Sequence, residues 1–152
     1  MSVALAWIGD GAPRMEVVHV ERNGTELTAE GTQLGATYEL RYRLTFETLS
    51  LELVGQRSLE LELGDADFFD LGWSPLFNSL PVLRDNLLRR GPRRDYVMRW
   101  VDVPTLEVSR SEQQYEPLGG GLVRFRAGAF EADIRFDNDG YVFHYPGIGS
   151  RV

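Results

Sequence analysis

The chain has 152 residues, 43% of them hydrophobic, with a formal net charge of −7 and no cysteine. That is the length of a single domain, ~100–150 residues, and the missing cysteine excludes disulfides, thiolate catalysis and cysteine-bound metals. The acidic balance argues against a general nucleic-acid binder, and no apolar run approaches the ~20 residues of a membrane helix.

In chain order, the opening residues Met1 to Ile8 are apolar but carry no basic flank, and Asp10 follows at once. They read poorly as a secretory signal, and without disulfides the cytoplasm is the expected compartment. From there period-two alternation dominates. Tyr38, Leu40, Tyr42, Leu44 and Phe46 fall on one face, with Glu39, Arg41, Arg43 and Thr45 on the other, the mark of a half-buried strand. Leu49, Leu51 and Leu53 repeat the pattern, as do Leu59, Leu61 and Leu63. Asn23-Gly24 marks a hairpin turn, because both residue types tolerate positive φ. Strands are therefore expected over 14–22, 25–33, 36–46, 49–54 and 57–63.

Residues 64–94 break the alternation. Ser79 as N-cap and Pro81 in the first turn predict a short helix over 80–90, ended by Gly91-Pro92. A second meander follows, with strands expected over 95–102, 106–116, 121–127, 129–136 and 141–145. Gly119-Gly120-Gly121 and Asp139-Gly140 supply turns, and Pro104 and Pro117 sit at strand edges or breaks. Nothing marks a linker or an internal repeat, so residues 1–152 read as one domain, predominantly antiparallel β, with a short helix or irregular crossing segment in its middle.

Little in this pattern suggests catalysis. The two histidines, His19 and His144, sit within strand patterns, and Gly72-Trp73-Ser74-Pro75 lacks the glycine that closes a nucleophile elbow. Asp133, Asp137 and Asp139 lie beside Gly140 without the spacing or closing glutamate of a calcium loop; a polar hairpin turn is the more economical reading. Neither a metal nor a cofactor is expected. Every basic residue is arginine, and the segment 84–99 holds six against two aspartates. Arg84, Arg89, Arg90, Arg93 and Arg94 read as a solvated helix end and loop, or else as a contact for an anionic surface. Arg41, Arg43, Arg124, Arg126 and Arg135 stand opposite the apolar face of their strands, as outer-face charges or as the polar lining of a ligand site.

Two segments carry a resemblance. The first runs from Asp70-Leu71-Gly72-Trp73-Ser74-Pro75 through Asn78, Leu80-Pro81 and Arg84. The second runs from Val103-Pro104-Thr105-Leu106-Glu107-Val108 through Gln113-Gln114-Tyr115 to Asp137-Asn138-Asp139-Gly140-Tyr141-Val142-Phe143-His144-Tyr145-Pro146-Gly147. Together they resemble a bacterial family labelled glycolipid-binding, otherwise a domain of unknown function; over 1–63 only the outline is similar. The resemblance implies a strongly curved, roll-like or open barrel-like antiparallel sheet that partly encloses a space. It also implies binding of a glycolipid or similar amphiphile. Longer members carry an extra hairpin before the Asp70 motif, and here the link from Leu63 to Phe68 is too short for one.

Within the motifs, Asn78 reads as a cap of the crossing segment and Arg84 as a partner of Asp70 or Asp102. Gln114 and Tyr115 read as cross-strand hydrogen-bonders, and Tyr145-Pro146-Gly147 as the closure of the roll. The candidate ligand-binding residues are Trp73, Phe77, Asn78, Arg84, Gln114, Tyr115 and Tyr145, around an amphipathic small molecule held without catalysis. Two rivals stand beside this reading. One is a hydrolase of a sugar or lipid that uses Asp70, Asp102 or Asp133. The other is a module that meets a protein or an anionic membrane surface through Arg84–Arg94. No nucleic acid or transmembrane segment is expected, and the chain would act as monomer or homodimer.

Overall fold

The computed structural model describes residues 1–152. The first half is a meander of six strands: β1 (Ser2–Gly9), β2 (Met15–Asn23), β3 (Glu26–Leu34), β4 (Glu39–Thr45), β5 (Thr48–Leu53) and β6 (Arg57–Glu62). A short strand, β7 (Phe68–Leu71), leads into the one helix, α1 (Pro75–Asp85). The second meander comprises β8 (Arg94–Val101), β9 (Val108–Gly119), β10 (Leu122–Ala127), β11 (Phe130–Phe136), β12 (Val142–Tyr145) and β13 (Gly149–Arg151). All thirteen strands form one sheet in the order β6-β5-β4-β3-β2-β1-β13-β12-β11-β10-β9-β8-β7. Every pairing is antiparallel except β7 with β8. The helix is too short to cross a membrane.

The alternating segments form strands as expected, and their apolar faces turn to one core. In β4, Leu40, Tyr42 and Leu44 are buried while Arg41 and Arg43 are exposed. Asn23-Gly24 makes its hairpin, with Gly24 at φ 61° and Asn23 opposite Glu26. Arginines on the other face pair with acids on neighbouring strands, as Arg43 does with Glu30 at 2.7 Å and Arg124 with Asp133 at 2.9 Å. These are surface pairs with small individual effects on stability.

Three strands escape the sequence reading. Residues 2–9, read there only as a poor signal segment, form β1, which buries Leu5 and Trp7. The Trp7 indole donates to the Val142 carbonyl at 2.8 Å. β1 pairs with β13, Trp7 opposite Arg151, so the two meanders join through the first and last strands. β13 has only three residues, too few to show a period. β7 shows none because all four of its residues are buried, which suits the parallel pairing.

The curl of the sheet follows from chain connectivity. Laid flat, thirteen strands at ~4.8 Å spacing would separate β6 from β7 by ~58 Å. Residues 63–67 join those same two strands, and six residue steps span at most ~20 Å. The sheet must therefore bend until its edges approach. Phe46 and Phe68 meet edge to face with centroids 6.3 Å apart. Near the same edges Arg99 donates to the Glu62 carbonyl and Arg57 to the Thr105 carbonyl. β6 and β7 do not pair, so the sheet stays open.

The helix fills the inside of the curl. It begins five residues earlier than expected: Ser74 is the N-cap and Pro75 opens the first turn. Ser74-Pro75 carries the same start signal as the later pair, and Pro81 is tolerated inside the helix at the loss of one backbone bond, to the Phe77 carbonyl. Asn86, in the left-handed conformation, ends the helix with its N–H on the Val82 carbonyl. All residues from Pro75 to Leu83 are buried. Phe77 packs on Tyr42 of β4 at 5.4 Å, and the Ser79 hydroxyl accepts the Val142 N–H at 3.0 Å.

Candidate functional site

Strand parity shows where free space remains. Tyr115 of β9 is a core residue, and stepping back by twos along the same face gives Gln113, Ser111 and Ser109. Three polar residues thus occupy the core side of the strand. Register places Ser109 beside Trp100 of β8, and Trp100 beside Asp70 of β7. Phe125 of β10 is paired with Tyr115. These residues line a cleft of about 530 Å³ at one end of the curl, within the usual size of a small-molecule site. Its walls also include Trp73, Phe130, Tyr145 and Ile148, with Asn78 and Asp102 among the polar lining. A larger concavity, about 780 Å³, lies over the polar outer face of β2 to β6. Its arginines pair with glutamates, and five of its fifteen lining residues are hydrophobic against eight of seventeen at the cleft, so it is the weaker candidate.

A run of edge-on aromatic contacts lies behind the cleft and reaches its lining at Phe125 and Tyr145. Tyr96 meets Tyr115 at 5.5 Å, Tyr115 meets Phe125 at 5.3 Å, and Phe125 meets Tyr145 at 6.2 Å, arrangements favoured by the ring quadrupoles. Into this apolar setting β7 brings Asp70, 8% exposed. Burial pushes its carboxyl up to about 6, against the opposing pull of its hydrogen bond from Gln113. The Gln113 amide donates to Asp70 Oδ2 at 2.7 Å, while its Oε1 is buried with no partner. The Asn78 amide donates to the Tyr115 hydroxyl at 3.1 Å. Burial pushes the Tyr115 and Tyr145 hydroxyls well up, with the Asp70 charge acting in the same direction.

The link 72–74 separates this cleft from a second polar cluster. Trp73 sits at φ 64°, rare for a bulky residue, and is 47% exposed. The Arg14 guanidinium lies 4.3 Å from its ring centre, a cation–π contact. Behind it Glu16 accepts the Ser74 hydroxyl at 2.7 Å, the Tyr42 hydroxyl at 2.9 Å and the Gln33 amide at 3.3 Å. The same Gln33 nitrogen reaches the Gly72 carbonyl at 3.1 Å. Burial raises the Glu16 carboxyl to about 7, although these three donors and Arg14 pull the other way.

Of the residues expected at a site, Trp73, Asn78 and Tyr145 come together in the cleft, with Tyr115 one hydrogen bond behind. Phe77 is fully buried against Tyr42 instead. Arg84 pairs with its neighbour Asp85 at 3.0 Å and lies over the Phe68 ring, so it meets neither Asp70 nor Asp102. Gln114 falls on the opposite face of β9 from Tyr115, and Gln113 is the glutamine that enters the cleft. Asn78 bonds Tyr115 rather than capping the crossing segment. Of the three carboxylates weighed for hydrolysis, Asp70 and Asp102 line the cleft, whereas Asp133 is engaged by Arg124 elsewhere. Asp137 organises its hairpin turn, accepting the N–H groups of Asp139 and Tyr141. Within the arginine segment, Arg84 and Arg94 both approach Asp85, and Arg93 pairs with Asp95. Each histidine meets a serine hydroxyl, His19 with Ser2 and His144 with Ser150, but neither lines the cleft. Ser111, Ser109, Trp100 and Phe130 lie outside the motifs, and Gln113 lies within one without being among the candidate ligand-binding residues. Counting by twos from Tyr115 exposes Gln113, Ser111 and Ser109 as polar residues on a core face.

Comparison with known proteins agrees with this architecture. The crystal structure of a DUF1089 family protein from Pseudomonas aeruginosa shares the fold, with a TM-score of 0.59 at 19% identity over 100% of this chain and 91% of that one. No curated protein matches the sequence. The family described as "Putative glycolipid-binding" matches residues 53–151. That stretch is well over half of the chain, runs from the end of β5 to the end of β13 and takes in every strand that lines the cleft; the chain belongs to this family.

Proposed function

We propose that the protein acts as a single domain that holds a glycolipid-like amphiphile, without catalysis, in the cleft between β7–β11 and the start of α1. The observation that carries this reading is the division of the lining. Trp73, Trp100, Phe125 and Phe130 offer apolar surface, and Asp70, Asn78 and Gln113 offer a few buried polar anchors. A mostly apolar concavity with a few fixed polar groups suits a ligand that is itself divided in this way. Membership of the family supports it. Titration with dodecyl maltoside below its micelle concentration tests it directly, because Trp73 and Trp100 line the cleft and report through their fluorescence. Saturable change at one site is the expected result, with a co-purifying amphiphile in native mass spectrometry. A Trp signal that stays flat with every amphiphile tried would overturn the reading.

One observation favours a second reading. Asp70 and Asp102 share the cleft, and burial holds the Asp70 carboxyl near 6, as a general acid requires. Hydrolysis of a glycoside or lipid ester that disappears in Asp70→Asn would establish it. Binding without turnover favours the holder.

A further inference from the structure

We infer that the end of the curl at which the cleft opens is a docking rim for the surface of a lipid bilayer. The inference rests on the reading of the cleft as a site for an amphiphile, and adds the surface with which that site exchanges its ligand. The sheet brings to this one end the finish of β1, β3, β7, β8, β10 and β12 and the start of β2, β9 and β11. Large apolar side chains collect there. Leu34 stands opposite Met15, and Met15 opposite Ile8, in one row on the outer face of three strands. Ile8 and Met15 share a shallow depression with Arg14, Trp73 and Ile148. Trp73, Ile148 and Phe130 then continue into the cleft. The apolar surface thus runs from the outer face, over the lip at Trp73, to the interior. Leu34, Met15, Ile8, Trp73 and Phe130 are each between 42% and 52% exposed.

Area and charge decide what this rim meets. Five such side chains, about half exposed, present on the order of 400 Å² of apolar surface, the size of patch that marks an interaction site. That is about half of the ~800 Å² per partner that a stable protein dimer buries. A bilayer asks for less, because it admits apolar side chains to a depth of about 5–10 Å at the headgroup boundary. The lip suits that boundary. An indole settles where headgroups meet acyl chains, and Arg14, 4.3 Å from the Trp73 ring centre, can keep its charge among the headgroups while its stem lies in the apolar layer. Charges at this end are of both signs, Asp10 and Glu107 with Arg14 and Arg110, so no single-sign field selects an anionic surface. The arginine segment lies at the other end, where α1 finishes and β8 begins. Docking through the rim turns the cleft mouth to the bilayer and leaves Arg84–Arg94 in water. An amphiphile then passes between bilayer and cleft without carrying its chain through water.

Flotation with vesicles of phosphatidylcholine tests this, repeated with phosphatidylglycerol added and at raised salt. Binding to the neutral vesicles, little changed by lipid charge or salt, is expected. Phosphatidylcholine with brominated acyl chains should quench the tryptophan fluorescence. Ile8 and Leu34 are exposed and lie outside the cleft lining. Ile8→Asp and Leu34→Asp should therefore fold, and should bind dodecyl maltoside below its micelle concentration as the parent does. Each should weaken vesicle binding at least roughly fivefold, the worth of covering the open half of one such side chain, and the double variant should not float. Binding that requires phosphatidylglycerol and disappears with salt would assign membrane contact to the arginine segment and overturn the rim. Vesicle binding unchanged in both variants overturns it too, as does a dimer that Ile8→Asp dissociates in the absence of any vesicle binding. No flotation while dodecyl maltoside still binds overturns this inference and leaves the amphiphile reading standing. Failure with both vesicles and maltoside overturns the reading beneath it as well.

Discussion

Two buried carboxylates flank the 72–74 link, and the protein treats them differently. Glu16, on the core face of β2, is 2% exposed and receives three side-chain donors from three other segments. Asp70, on β7, receives one side-chain donor and lines a cleft. Both carboxyls are raised chiefly by burial. The saturated one ties β2, β3 and β4 to the N-cap of the helix, and so has a structural role. The under-saturated one lies in the cleft proposed to take the ligand. Buried polar groups cost least when every partner is present, so the missing partners at Asp70 mark the site more clearly than its burial does.

The contrast is broken hardest by removing Glu16. Glu16→Ala strands the donors of Ser74, Tyr42 and Gln33, and loss of about 3 kcal/mol or more is expected, since each orphaned buried donor costs ~1–3 kcal/mol. Urea unfolding measures it. A loss under ~1 kcal/mol would show that the cluster does not hold the helix to the sheet.

Acidity probes both carboxylates at once. A group whose folded value is raised binds protons more tightly when folded, so its stabilisation is present at low pH and fades as pH climbs through the folded value. For Glu16 that window runs from 4.5 to about 7, and for Asp70 from 3.8 to about 6. Stability should therefore fall between pH 5 and pH 8, by on the order of 3 kcal/mol from Glu16 alone. Asp85, held low by Arg84 and Tyr96 although its partial burial opposes them, acts in the opposite sense and mainly below this window. Glu16→Gln should flatten most of the slope. An unchanged slope in that variant would assign the dependence elsewhere.

A smaller effect isolates how Glu16 is reached. Tyr42 crosses Gly31 on the next strand to bond Glu16, and a Cβ on Gly31 would lie 2.3 Å from the Tyr42 ring. Gly31→Ala should cost about 2 kcal/mol by forcing the ring aside. In a Tyr42→Ala background the same change should cost far less, and full additivity would count against the explanation.

These elements differ in how visible they are in the sequence. Alternation marks the half-buried strands β2 to β6 and β8 to β12 because each has one wet face. It is silent for β7, whose four residues are all buried, and for β13, which is too short. The curl is implicit in the 63–67 link, but only once the strand order is known. For the site, the motifs carry Trp73, Asn78, Gln114 and Tyr145 alike, but Gln114 and Tyr115 are neighbours on one strand and cannot share a face. Parity alone would have marked Gln113, as it would have marked Glu16, a carboxylate in phase with Val18 and Val20. What parity cannot do is tell a sealed cluster from an open cleft. That depends on whether other strands bring donors to the same point.

The smallest expected change in stability is therefore the most informative. Asp70→Asn keeps the shape and an acceptor oxygen for Gln113, and removes a buried group that prefers its proton. Its stability at pH 7 should lie within ~1 kcal/mol of the parent, against the several lost at Glu16. Ligand binding should respond instead. In the parent, affinity for an alkyl glycoside should weaken as pH falls below about 6, because protonation of Asp70 occupies one of the oxygens that receives the ligand hydroxyls. Binding to the ionised form must also lower the Asp70 value, so the midpoint should shift downward in the saturated complex. The variant should show weak binding with no such midpoint. If Asp70→Asn instead unfolds as readily as Glu16→Ala, both carboxylates are structural and the contrast between them fails.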